Sequence, residues 1–570
     1  LSQGLNFQPG VRVETNCQNC GFQQVRINGL DGPYTQILID SRPVFSALSG
    51  VYGLEQIPAS MIERVEVMRG GGSALFGSSA IAGTINIITK EPLRNSGQLS
   101  HTITSLGGSS SFDNNTSLNA SLVTDDHRAG LYIFGQNRHR SGYDYDGDGF
   151  TELPKLKNQT VGFRSYLKTS TYSKLTFEYH HMQEFRRGGD MLNRPPHEAH
   201  IAEQLQHSID GGSLKFDYFS PDEKNRLSVF ASAANTDRDS YYGPGNDPLK
   251  AYGKTTDLTA MGGAQYVHTF DKCFFMPSDL TAGLEYNRDR LKDNMWGYNR
   301  HTDQTVNIYS AFLQNEWKND RWGILIGGRL DKHNMVDNVI FSPRANLRFN
   351  PTQNINLRLS YSSGFRAPQA FDEDMHIENV GGTVAMIERA KDLKEEKSQS
   401  FSVSADMYHR FGAFQTNLLI EGFYTRLTDV FVLGKPYDRG DGILVKTRSN
   451  GPGAKVMGLT LEGKVAYLSI LQIQAGLTLQ RSRYDEPHKW HDDAPAEKKI
   501  FRTPDTYGYF TATCTPIKPL SIALSGTYTG RMLVQRMDIT AENAELGKMP
   551  ERKAEAIRTP RFFDLGVKLA

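Results

Sequence analysis

Residues 62–90 read IERVEVMRGGGSALFGSSAIAGTINIITK. Ile62, Val65, Val67 and Met68 supply the apolar positions of a short buried strand that Arg69 closes. Gly70, Gly71 and Gly72 open backbone angles closed to other residues, so the chain can turn sharply before Ser73 to Gly77. Thr84 to Thr89 is a β-branched run with strand character. A phosphate-cradling loop would need Gly-Lys-Ser/Thr opening a helix, and none is present here. The stretch therefore reads as two strands joined through a glycine-rich segment.

Most of the chain downstream alternates. In 354–361, Ile355, Leu357, Leu359 and Tyr361 point one way and Asn356, Arg358 and Ser360 the other. In 472–480, Ile473, Ala475, Leu477 and Leu479 oppose Gln472, Gln474, Thr478 and Gln480. Phe563, Leu565, Val567 and Leu569 are a third case. A single strand of a solvent-washed sandwich shows the same pattern. Persistence of the alternation to the last residue, with 30 Phe and 25 Tyr available for interface girdles, favours a membrane barrel whose strands are apolar outside and polar inside. Hydrophobic residues make up 38% of the chain, and no stretch approaches the roughly 18 consecutive apolar residues of a membrane helix. The formal net charge of +1 lacks the clustered basic excess of a nucleic-acid binder. No blade-length repeat supports a propeller enzyme.

Upstream of the quoted stretch stand Val25-Arg26-Ile27-Asn28-Gly29-Leu30 and Ile37-Leu38-Ile39-Asp40-Ser41-Arg42-Pro43. In this order the three segments resemble the plug signature of TonB-dependent outer-membrane receptors. The resemblance implies an N-terminal α+β plug over residues 1–92, ending where Glu91-Pro92 interrupts the strand run. The plug would sit in the lumen of an all-β transmembrane barrel of about 22 antiparallel strands over residues 93–570. Twenty strand segments are recognisable between 97 and 570, so the last strands are expected to be missing, as is the segment before the plug that would contact TonB. Odd-to-even connections should face outward, making 140–155, 186–204, 239–253, 293–302, 365–394 and 484–502 extracellular; segment 334–337 is short for such a position.

Several residues are candidates for function. Asp144, Asp146 and Asp148 alternate through Tyr143 to Gly149 with Glu152 nearby, as in chains that wrap a hard, oxygen-seeking cation, and an outer-loop Ca2+ is the expectation, against a solvated acidic turn. In the cobalamin branch of the family, calcium orders outer loops near the ligand. Phe365-Arg366-Ala367-Pro368 and Lys391-Asp392-Leu393-Lys394-Glu395-Glu396-Lys397-Ser398 resemble paired boxes of the family, between which haem receptors place a ligating histidine. His376, beside Met375, occupies that interval, and imidazole is an axial ligand for haem iron. The second box begins Lys-Asp instead of Asn-Pro, and the plug offers no histidine partner. Met191, His197, His200, His488, Trp490 and His491 are further outer-loop substrate contacts.

Cys17 and Cys20 are expected to form a disulfide in an oxidising periplasm, the alternative being a soft-metal site. Cys273 and Cys514 are read as bystanders. Many family members fix plug to wall with two arginines and two glutamates. By motif, one arginine is Asn28 here, and the glutamate positions fall on Ser402 and Thr460; Glu462, on the face of Thr460, is the expected partner of Arg69.

The implied function is non-enzymatic, TonB-dependent import of a scarce metal chelate, siderophore-iron or haem, across the outer membrane. The transported chelate is the ligand and no cofactor is required. Implied partners are TonB with its inner-membrane energising complex, outer-membrane lipid and a surface lipoprotein, with no nucleic acid. Cobalamin import is the second reading. A non-transporting adhesin barrel is the reading from another class, distinguished by ligand binding without TonB-dependent uptake.

Overall fold

A computed structural model of the protein describes residues 2–17, 21–42, 57–72, 77, 80–244, 251–370, 372–375, 385–441, 443–490, 494–539 and 552–570. After a short helix, Ser2–Leu5, strands β1 (Val11–Cys17) and β2 (Phe22–Ile27) form an antiparallel ribbon. Strands β3 (Thr35–Ile39), β4 (Ile62–Arg69) and β5 (Gly83–Thr89) make a separate sheet in the order β3-β5-β4. β5 runs parallel to β3, with Ile37 opposite Ile85, and antiparallel to β4, with Val67 opposite Ile85. The near-continuous β-branched run explains why β5 is the central strand, since a strand covered on both faces has no polar side to present.

Local chemistry fixes the sheet. Asp40 and Ser41 both have positive φ, so Ile39 and Arg42 exchange backbone hydrogen bonds across a tight two-residue turn. The buried Asn86 amide donates to Ser41 Oγ and its oxygen accepts from Ser41 N, and Thr89 donates to the Asp40 carboxylate. Gly83 has φ of 154°, and a methyl there would lie 2.1 Å from the carbonyl oxygen of Met68. Val25, Ile27, Leu30, Ile81 and Ile85 build the plug core, with Phe423, Leu427 and Val456 of the wall packed on it.

Around this domain runs an antiparallel barrel sheet, of 21 strands among the described residues, from Ser96–Ser105 through to Phe562–Leu569, the last strand lying next to the first. The twenty segments anticipated from alternation each correspond to one of its strands, and the short strand Glu497–Lys499 is the addition. One segment was drawn too long: Leu444–Asn450 leaves the wall, and the barrel strand begins only at Ala454. Leu444–Asn450 joins Ala385–Arg389, Phe431–Leu433 and Tyr437–Asp438 in a small sheet of its own. Other strands run past the expected loop edges, to Gly189 and Pro244, because the wall continues above the bilayer.

Leu214, Val229, Leu284, Leu313, Leu359, Val403, Leu477 and Leu565 face outward and exposed, while Thr160, Thr236, Asp257, Ser400, Thr460 and Thr478 on alternate positions are buried inward. This is the lipid-facing belt and polar lumen of a transmembrane barrel. Among the described residues no helix is long and apolar enough to cross a membrane.

Candidate functional site

The plug touches the wall on several sides. At the end of β4, Arg69 places Nη2 2.7 Å from Glu421 Oε2 and donates from Nη1 to the Pro9 carbonyl at 3.2 Å. The expected partner was Glu462, and the structure corrects it: Glu462 is held by Tyr509, by Gln474 at 3.0 Å and by Lys464 at 3.0 Å. Glu421 stands directly opposite Thr460 on the neighbouring strand. The carboxylate has therefore moved one strand sideways, a shift along the ladder that only the register reveals. Asn28 has φ of 49° and packs against Gly10, where a methyl would meet Asn28 Oδ1 at 2.5 Å and Arg69 Cδ at 3.4 Å. Asn28 thus stands beside Arg69, and Arg69 meets Glu421.

A second latch uses both family boxes. Arg366 and Glu396 are opposite one another in the ladder, with 3.6 Å between Nη1 and Oε2. Tyr34 of the plug donates its hydroxyl to Glu396 Oε1 at 2.9 Å, and the Arg366 guanidinium lies 5.7 Å from its ring centre. Burial, reinforced by the Glu396 carboxylate, pushes the Tyr34 phenol well above its ordinary range, so it stays a donor. On the opposite side Arg164 contacts Asp40 of the plug and lies 3.3 Å from Glu178, and Tyr132 donates to the Ser60 carbonyl. Tyr507 donates to the Gly10 carbonyl at 3.1 Å. Within the ribbon, burial works against the charge of Glu14, but Arg26 and Arg12 outweigh it and hold the carboxyl below its usual range. The contacts between plug and wall were invisible to motif reading except at Arg69, because each joins residues far apart in sequence.

The outer loops pack on one another. Leu205, Tyr241, Tyr242 and Met295, at the outer ends of wall strands, form one apolar cluster with Tyr298, Met386 and Val445. Met375, in the short helix Asp372–Met375, is 2% exposed and packs on Leu291 and Ala370, while its carbonyl accepts from Arg300. That burial removes it as a substrate contact. His197 is tied to Tyr252 at 2.9 Å and His200 to Asp190 at 2.6 Å, with Met191 exposed in the same loop. His488 lies 5.7 Å from the Tyr484 ring and Trp490 6.3 Å from Phe501, ring centre to ring centre, in a different loop. His376, His491 and Cys20 lie outside the described residues, as does the side chain of Cys17. Sequence reading missed three arginines around the short helix: Arg300 with Asp293 at 2.8 Å, Arg389 with Gln304 at 2.7 Å, and Arg448 with Asp374 at 2.5 Å.

In the acidic loop, Asp144, Asp146 and Glu152 bring carboxylate oxygens within 4.8 Å of one another; Asp148 is outside that group and accepts from Phe150 N. Asp144 accepts from Gly147 N and Gly149 N, both glycines having positive φ, which wraps the backbone around the carboxylates.

A plug with five strands among its described residues, inside an apolar-belted barrel, is a combination with known relatives. Residues 1–84 match the TonB-dependent receptor plug domain and residues 82–533 the TonB-dependent receptor-like β-barrel. The chain is a TonB-dependent receptor. It is thus a β-barrel protein of the bacterial outer membrane. The receptor is 36% identical over 104 residues to a ferric enterobactin receptor of Pseudomonas aeruginosa, a match covering 16% of this chain and 14% of that one. It is 24% identical over 386 residues to the vitamin B12 transporter BtuB of Vibrio vulnificus, covering 65% of this chain and 57% of that one. In fold it is similar to the siderophore receptor PirA from Acinetobacter baumannii, with a TM-score of 0.80 at 17% identity, covering 100% of this chain and 89% of that one.

Proposed function

We propose that the receptor imports a ferric siderophore across the outer membrane, driven by TonB and its inner-membrane energising complex. The observation that carries this reading is a folded plug seated in the lumen by a few separable polar latches, above all Arg69 with Glu421, beneath loops that bring Arg300, Arg389 and Arg448 around one short helix. Guanidinium groups suit the anionic oxygens of an iron chelate. A pull on the plug strand can break such latches one after another, and no covalent chemistry is needed, so the protein is read as a transporter and not an enzyme. The relative named as a ferric enterobactin receptor supports an iron chelate as first cargo, and the vitamin B12 transporter keeps cobalamin second. Haem ligated by His376 belongs to the same chelate reading, and a surface lipoprotein would act above the loops.

As part of the same proposal, Asp144, Asp146 and Glu152 hold a calcium ion that stiffens the outer loop; their converging oxygens fit a hard cation. The deciding experiment measures uptake of radio-iron as a ferric catecholate, of haem and of cobalamin by cells carrying the receptor, with and without TonB. TonB-dependent accumulation of the ferric catecholate alone is expected. Binding at the surface with no TonB-dependent uptake of any of the three would replace transport with adhesion.

A further inference from the structure

The outward face of the wall carries a feature that import does not use. Four adjacent strands, Glu396–Phe411, Phe414–Thr428, Ala454–Tyr467 and Leu471–His488, are aligned so that Gln399 is opposite Arg426, Arg426 opposite Lys455, and Lys455 opposite Arg483. One row below, toward the membrane, Phe401, Tyr424, Met457 and Arg481 are opposite one another in turn. The next row is Val403, Gly422, Leu459 and Leu479. The outer surface thus passes from a polar and cationic row, through a row holding Phe401, Tyr424, Met457 and Arg481, to a largely aliphatic one, in the sequence of headgroup, interface and acyl-chain levels of a bilayer.

Like charges directly opposite in a ladder repel. Lys455 is relieved by Asp485 at 2.8 Å and Lys397 by Glu395 at 3.0 Å. Arg426, Arg481 and Arg483 are exposed and make no ion pair among the described residues. Beside Arg426 a groove of about 620 Å3 is lined by Phe341, Tyr361, Glu395, Lys397, Gln399 and Arg426, with Lys397 paired to Glu395. Other parts of the wall vary: on Asn225–Pro244 the outward positions Asn235, Asp237 and Asp239 carry no cation, whereas Met276–Met295 turns Arg288, Arg290 and Lys292 outward.

We propose that this row is a binding site for the phosphate-bearing headgroup of an outer-leaflet lipid, with Arg426, Arg481 and Arg483 on the phosphate oxygens and the lipid's hydrocarbon against the rows below. Height decides for a lipid over a soluble anion, because Arg426 and Arg483 sit immediately above the row of Phe401 and Tyr424, and Arg481 lies in that row. Guanidinium groups grip phosphate in a fixed fork, and each cation near an anionic surface is worth about a fivefold gain in affinity.

The test titrates the full chain in detergent with dioctanoyl phosphatidic acid, counting bound lipids by native mass spectrometry, with dioctanoyl phosphatidylcholine as the zwitterionic control. The wild type should prefer phosphatidic acid. The triple variant Arg426→Gln, Arg481→Gln, Arg483→Gln should lose roughly a hundredfold in affinity and bind both lipids alike, while three Arg→Lys changes keep most of the preference. Unchanged heat-resistant gel mobility of the barrel verifies folding. An undiminished preference in the glutamine variant overturns the proposal. So does displacement of the lipid by inorganic phosphate at equal concentration, which would make this a free-anion site.

Discussion

Replacing either partner of the Arg69–Glu421 pair should loosen the plug by several kilocalories. The two side chains are 16% and 10% exposed, so solvent screens them weakly. With 2.7 Å between nitrogen and oxygen the charge centres are about 4 Å apart, for which an effective dielectric near 20 gives about 4 kcal/mol of attraction. Much of that only offsets desolvation of the two ions, but Glu421→Gln removes the attraction and leaves the guanidinium buried without its partner. The expected loss is about 3–5 kcal/mol. Exchanging both for apolar groups, Arg69→Met with Glu421→Leu, should recover most of it. Urea titration in detergent, followed by tryptic cleavage of the plug, reads the effect; with a slope of about 2 kcal/mol per molar, the plug midpoint should fall by roughly 1.5–2.5 M. Barrel stability should be unchanged. A shift below about 0.5 M for Glu421→Gln, or an equal shift for Glu462→Gln, would refute the assignment of the latch.

Three further outcomes are expected. Gly83→Ala forces a methyl onto the Met68 carbonyl at a φ that L-residues rarely adopt, so the plug should lose about 4 kcal/mol or more and become protease-sensitive inside an intact barrel. Calcium affinity measured by calorimetry should drop about tenfold or more in Asp144→Asn, whereas Asp148→Asn, outside the converging group, should leave it nearly unchanged. The carboxyl of Glu14 is depressed in the folded plug, so its stabilisation is complete above the ordinary value near 4.5 and disappears as pH falls through the lower folded value; the plug's urea midpoint should decline over that acid range in the wild type and less steeply in Glu14→Gln.

The barrel was legible because its physics is local. Ile473, Leu477 and Leu479 alternate with Thr478 and Gln480 in the chain, and the same alternation separates lipid from lumen in space. In the plug, β4 and β5 were equally readable, from the apolar positions Ile62 to Met68 and the β-branched run Thr84 to Thr89, whereas β1 gave no such signal. Contacts between distant segments were not readable. Glu421 carries no motif, and what couples it to Arg69 is the pairing of two strands that puts it opposite Thr460. Met375 looked like a ligand neighbour because it adjoins a histidine, yet a methionine in a short helix fills an apolar gap as readily. Leu444–Asn450 alternates like a wall strand, and only its parallel pairing with Ala385–Arg389 shows that it belongs above the barrel.

The two family boxes acquire a different meaning once Arg366, Glu396 and Tyr34 are seen together. As sequence, they bracket a loop and point to the cargo; as structure, they close a contact from the wall to the plug. Tyr34 lies just ahead of β3, and β3 pairs with β5, which pairs with β4, the strand ending at Arg69. The two latches therefore hold the outer members of one three-stranded sheet. Tension that pulls β4 away must strip the β4–β5 ladder or carry the whole sheet, and in the second case Tyr34 leaves Glu396 as Arg69 leaves Glu421. A double-mutant cycle distinguishes these routes. If the sheet moves as a unit, Tyr34→Phe and Glu421→Gln should contribute additively to plug release under denaturant, since both bonds break in the same step. If β4 peels alone, Tyr34→Phe should leave the Arg69-dependent step untouched, and only later loss of the sheet should respond to it.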